Sequence, residues 1–150
     1  MNPDYKEMLQ LLNEEGARFL LVGAYALATH GHVRATGDID LWVEPTQDNA
    51  AKVWRALARF GAPLHQLAQR DLMSPDLIFQ IGVAPLRIDI LTSIDGDFDF
   101  QQAWQDKHLV DFDGVSVPVL NAQLLLINKR ASGRPKDMGD VQWLESYLND

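Results

Sequence analysis

Hydrophobic positions along the chain change their spacing several times, and each change marks an element. Asn2 followed by Pro3 is a helix start, and Met8, Leu11 and Leu12 then recur on one face until Gly16. The run Phe19 to Val22 is short and continuously apolar, the mark of a buried strand. Gly23 opens a tight strand-to-helix turn, and Ala24 to Thr29 form a short helix stopping near Gly31. Residues 38–43 alternate acid and apolar side chains, which is strand periodicity closed by Pro45. A clear amphipathic helix begins at Asp48, carries Val53, Leu57 and Phe60 at three- and four-residue spacing, and meets Gly61 as a C-cap.

The pattern weakens over residues 62–76, where Leu64, Leu67 and Ala68 predict one or two helical turns. Two apolar runs, 77–83 and 86–92, are joined by Ala84 and Pro85 and predict a hairpin. An acidic loop over 95–100 leads to a short helix near Gln101 to Trp104. Residues 109–112 and 115–119 flank Asp113-Gly114, the strongest turn signal in the chain. Asn121 caps a helix running to Arg130, and Gly133 and Pro135 separate it from a last helix bearing Met138, Val141, Leu144 and Leu148. Hairpin-like strand pairs beside helix crossovers predict an α/β fold (α+β in looser schemes), a mixed sheet with flanking helices. A length of 150 residues predicts one domain over 1–150, with C-terminal helices over 121–149.

Composition narrows the functional classes. Apolar residues are 47% and charged residues 23%, so the chain is neither disordered nor fibrous. The absence of cysteine excludes disulfides, thiolate metal sites and cysteine nucleophiles. No apolar h-region follows the N-terminus, and no run approaches a membrane span, so a cytoplasmic location is the default expectation and no membrane partner is expected. A net charge of -8 argues against a nucleic-acid partner, since phosphate backbones demand concentrated Lys and Arg.

The candidate chemistry lies in three acids. Asp38-Ile39-Asp40 sets two carboxylates on one face of a strand while Ile39 and Leu41 turn into the core. Asp89 stands between Ile88 and Ile90 in a second apolar run, where a lone acid is costly unless it faces a polar site. If the two strands are neighbours, the three acids converge, and Mg2+ (with Mn2+ as an alternative) is the natural compensating cation. A solvated edge-strand face is the competing account of a bare acid pair. Gly23 and Ala24 begin a helix whose free amides suit phosphate, while Arg34 and Thr36 immediately precede the first acid. Lys129, Arg134 and Lys136 form the chain's only basic concentration, although Asp140 lies four residues beyond Lys136 and can pair with it. The acids Asp95, Asp97 and Asp99 lack the spacing of a calcium loop, and His30, His32, His65 and His108 lack that of a zinc site.

Leu21-Val22-Gly23-Ala24, a thirteen-residue spacer, and Asp38-Ile39-Asp40-Leu41 together resemble the signature of the DNA polymerase beta-like nucleotidyltransferase superfamily. The longer run through His30-Gly31 and Arg34-Ala35-Thr36-Gly37 is similar to its small bacterial members, the minimal nucleotidyltransferases and AbiEii-type toxin-related proteins. Arg87-Ile88-Asp89-Ile90-Leu91 resembles the strand carrying the third carboxylate, so the resemblance covers a core of about residues 17–92. It implies transfer of a nucleoside monophosphate from an NTP to a hydroxyl acceptor on a small molecule or protein. Asp38, Asp40 and Asp89 would then be catalytic metal ligands. Gly23, Ala24, Arg34, Thr36, Lys129, Arg134 and Lys136 would bind the nucleotide. Ala24 departs from the family's usual Gly or Ser, which leaves a second expectation open: a non-catalytic nucleotide- or protein-binding module, one component of a toxin–antitoxin-type pair.

Overall fold

The computed structural model describes residues 2–33, 37–83 and 85–150. Helix α1 (Pro3–Glu14) starts where Asn2 accepts a hydrogen bond from the Asp4 amide, and it buries Tyr5, Met8, Leu9 and Leu12. Strand β1 (Phe19–Val22) has four consecutive buried residues, as a strand covered on both faces must. It runs directly into α2 (Gly23–Thr29), followed by β2 (Ile39–Val43) and α3 (Gln47–Phe60). Thr46 caps α3, and Gly61 ends it in the left-handed conformation.

The hairpin expected next is β3 (Ile78–Val83) and β4 (Leu86–Leu91), antiparallel with Gln80 opposite Asp89. Helix α4 (Phe100–Gln105) is capped by Asp99. Strands β5 (His108–Phe112) and β6 (Val115–Val119) form the second hairpin, with Asp113 and Gly114 at its turn. Asn121 caps α5 (Ala122–Ser132), and α6 (Met138–Asn149) closes the chain.

Among the described residues these strands make one six-stranded sheet in the order β3-β4-β2-β1-β6-β5. The sheet is mixed: β2 pairs antiparallel with β1 but parallel with β4, and β6 runs parallel to β1. Helices α1 and α3 pack together, α5 packs on α6, and α2 sits beside β1 and β2. The α/β class with a mixed sheet and flanking helices is therefore the observed one. No helix among the described residues is long and apolar enough to cross a membrane.

One local expectation moves. Around Leu64 to Ala68 the chain makes one hydrogen-bonded turn, with the Leu67 amide donating to the Leu64 carbonyl at 3.1 Å, and the helical part follows as a 3₁₀ turn over Gln69–Met73 that buries Leu72. The cause is local hydrogen bonding: the Asp71 carboxylate accepts from the Ala68 amide at 2.8 Å and pins the turn there. Apolar spacing alone does not register such a cap.

Candidate functional site

Strand register builds the site. Because β1 is antiparallel to β2, its C-terminal end reaches the beginning of β2, and Val22 lies opposite Asp40. Because β4 is parallel to β2, Asp40 lies opposite Asp89. The alternation read in the sequence holds: Ile39 and Leu41 are 1% and 0% exposed, while Asp40 between them faces the opposite way and is half-buried. The three acids thus meet at one end of the sheet, in an open cleft of about 590 Å³.

The same cleft gathers residues from distant parts of the chain. Gly23 and Ala24 enter from the first turn of α2, and Lys129, Arg134 and Lys136 from α5 and the segment after it. Its remaining wall is mixed, with Ile78, Leu91 and Ile94 beside Asp76, Ser93 and Asp95. Arg34 and Thr36 lie outside the described residues.

Gly23 is required twice over. Its φ is +72°, a conformation L side chains rarely adopt, and a Cβ there would collide with the Asp40 carboxylate. Gly23→Ala should lower the melting temperature by several degrees and weaken, by roughly tenfold, any function that depends on the Asp40 carboxylate. Backbone strain accounts for about 1–2 kcal/mol of that loss, and the rest is displacement of Asp40. Gly61 supplies the control, since its φ is +87° but open space surrounds the added Cβ. Gly61→Ala should therefore show the stability loss in calorimetry without the activity loss.

The acids are not equivalent. Burial, the nearby charge of Asp89 and a hydrogen bond with Asp89 push the Asp40 carboxyl up to about 7, with Asp38 adding to the shift. Asp89 is 6% exposed and is held by the Arg87 guanidinium, with Nε 2.7 Å from Oδ1 and Nη2 3.1 Å from Oδ2. The same Nη2 lies 2.9 Å from Asp38 Oδ2. The expected three-acid convergence is present, but among the described residues no three acids or histidines stand as a ready-made metal cage. The donor set itself fits a hard divalent cation: three carboxylates share one polar cleft, and burial makes Asp40 costly to ionise without a compensating charge.

Sequence reasoning missed Arg87, although the two-residue period of a strand places it on the Asp89 face. It also missed Tyr5. That phenol, on α1, donates to the Gly37 carbonyl and lies 3.3 Å from the Arg87 carbonyl, so it ties the segment before Asp38 to the strand of Asp89. Burial first, then the neighbouring Tyr25 and Asp38, raises the Tyr5 hydroxyl to about 12, which keeps it a donor.

The basic cluster divides into different environments. Lys129 is 6% exposed, and its Nζ lies 3.2 Å from Asp137 Oδ1 and 3.3 Å from Asp140 Oδ2. Arg134 also contacts Asp137, at 2.9 Å, but leaves its side chain largely exposed, and Lys136 is exposed. Asp140 turns inward to Lys129 and His32 rather than outward along the helix surface toward Lys136, because at 1% exposure it belongs to the α5–α6 interface. His32 in turn stacks on Trp143 at 4.8 Å between ring centroids. His30 places Nε2 3.0 Å from the Leu120 carbonyl oxygen.

A mixed sheet in this strand order, with a glycine turn and three acids at one end, defines a nucleotidyltransferase-like fold. The chain belongs to the family named "Nucleotidyl transferase of unknown function (DUF2204)", whose pattern it matches over residues 1–150. That family, rather than the AbiEii-type or minimal members, is the one shown. No curated protein is detectably similar in sequence. Two solved structures share the fold. One is a candidate nucleotidyltransferase, TM1012, from Thermotoga maritima, with 16% identity, TM-score 0.60, and coverage of 99% of this chain and 95% of that one. The other is the lincosamide antibiotic adenylyltransferase LnuA bound to lincomycin, with 17% identity, TM-score 0.62 and 98% of both chains covered.

Proposed function

We propose that the protein is a metal-dependent nucleotidyltransferase that moves a nucleoside monophosphate from an NTP to a hydroxyl on a small molecule or protein. One observation carries this reading: Gly23, Asp38, Asp40, Asp89 and the basic residues Arg134 and Lys136 line a single cleft. Asp38, Asp40 and Asp89 would hold Mg2+ or Mn2+, which would supply charge neutralisation for the transfer. The amides of Gly23 and Ala24 and the side chains of Lys136 and Arg134 bind the triphosphate, and Arg34 and Thr36 belong to the same proposed set. In the reaction the acceptor oxygen bonds to the α-phosphorus as the bond to pyrophosphate breaks, and Asp89 is the acid placed to help activate the acceptor hydroxyl. Lys129 belongs to the same proposed nucleotide-binding set; it lines the cleft while paired with Asp137 and Asp140, and its charge also acts on Asp40.

A small-molecule acceptor is supported by the fold relative that adenylylates a lincosamide antibiotic, and a nucleic-acid acceptor is opposed by the net charge of -8. The test is incubation of the purified protein with labelled NTPs, Mg2+ or Mn2+ and panels of acceptors. Transfer by the wild type that disappears in Asp38→Ala/Asp40→Ala supports the reading. Equal transfer by both proteins sinks it.

The second reading is a non-catalytic nucleotide- or protein-binding module, such as one component of a toxin–antitoxin-type pair. Ala24 and the engagement of Asp38 and Asp89 by Arg87 favour it. Its distinguishing result is metal-dependent NTP binding in calorimetry with no transfer to any acceptor.

A further inference from the structure

Arg87 precedes Asp89 by two residues on β4 and so projects from the same face of the sheet. Its guanidinium closes a fork on Asp89, with one nitrogen at 2.7 Å from Oδ1 and another at 3.1 Å from Oδ2. The second nitrogen also reaches Asp38 Oδ2 at 2.9 Å. One side chain therefore touches two of the three acids, and each oxygen of Asp89 already accepts from it. Paired charge-assisted bonds of this kind are among the stronger contacts a carboxylate makes. A divalent cation seated against the same oxygens would lie beside a permanent positive charge, and the two would repel.

We propose that Arg87 is a resident counter-cation of the site, a stand-in that holds Asp38 and Asp89 together and must open its fork before a divalent cation can load. The proposal rests on the reading that Asp38, Asp40 and Asp89 bind such a cation. It makes Arg87 a positioning residue with two opposed effects. Without metal it suppresses repulsion among the acids; with metal it is the group that has to be displaced.

The experiment is Mn2+ titration of the full chain, followed by the loss of the free-ion paramagnetic resonance signal and by calorimetry. Wild type is compared with Arg87→Gln and Arg87→Lys. Arg87→Gln should bind Mn2+ at least tenfold more tightly than wild type. It should also melt lower without metal and gain more in melting temperature when Mn2+ is added. Arg87→Lys keeps the charge but not the fork, so its affinity should fall between the two. Equal or weaker binding by folded Arg87→Gln overturns the proposal. Should that variant fail to fold, Arg87→Lys decides in the same way: tighter binding supports, equal or weaker binding overturns. Mn2+ binding by none of the three proteins is a different result, and it overturns the metal-dependent reading itself.

Discussion

Asp40→Asn should make the metal-free protein more stable at pH 8 and, on the proposed function, cut nucleotidyl transfer by roughly a thousandfold. The two effects have one source. Burial and the charge of Asp89 hold the Asp40 carboxyl at about 7 in the folded chain, against 3.8 when it is unperturbed. Below pH 3.8 the group is protonated in both states and contributes no difference. As pH rises toward 7, the unfolded chain gives up this proton and the folded chain keeps it, so stability falls across that window and stays low above it. Replacing the acid by an amide removes the slope. The gain at pH 8 should be roughly 2–4 kcal/mol. Urea unfolding from pH 4 to pH 8 in the presence of a chelator measures it, beside an NTP-transfer assay. An Asn variant less stable than wild type at pH 8 would show that Asp40 serves the fold rather than the site.

The second large effect runs the other way. Lys129→Ala should destabilise the protein by about 3–5 kcal/mol and lower its melting temperature by roughly 10 °C. The ammonium it deletes pairs with Asp137 and Asp140, which are 2% and 1% exposed, so two buried carboxylates would lose their shared cation. Burial works to raise Asp137, but hydrogen bonds from Ser132 and Arg134 and the charge of Lys129 outweigh it and lower the group to about 2. That stabilisation is complete above pH 3.8 and is lost as pH falls through about 2. The gap between Lys129→Ala and wild type should therefore narrow between pH 4 and pH 2. Lys136→Ala, at an exposed position of the same cleft, should leave stability within about 0.5 kcal/mol. Thermal scans across that pH range separate the two lysines, which the linear chain presents as equals.

Much of the sheet was readable because its strands follow the two-residue period closely. Asp40 between two buried neighbours, and Asp89 between Ile88 and Ile90, each announced a polar face on an otherwise apolar strand. Their adjacency was an expectation only, since the parallel pairing of β2 with β4 is a property of the whole sheet. Arg87 was overlooked for the opposite reason. Its periodicity was plain, but an arginine at a strand end usually faces water, and nothing local said that it would close on Asp38 from forty-nine residues away. Lys129 was readable as basic and not as buried, because its burial depends on the turn over Pro135–Asp137 that folds Asp137 back beneath α5. The 3₁₀ turn at Gln69–Met73 depended on one side-chain cap, which carries no hydrophobic signature.

The clamp made by Tyr5 has a consequence for where the boundaries of this machinery lie. Asp38, Asp40 and Asp89, and the glycine beside them, fall within residues 17–92, yet the hydroxyl that ties the segment before Asp38 to β4 belongs to the first turns of α1. A recombinant fragment trimmed to that segment would keep the three acids and Gly23 but lose the Tyr5 brace, and with it Lys129, Arg134 and Lys136 from the far wall of the cleft. The same trimming would strip Met8, Leu9 and Leu12 from the core. The opening helix is, in that sense, part of the instrument's frame, and the brace it carries, Tyr5, stands only three residues after its cap, Asn2.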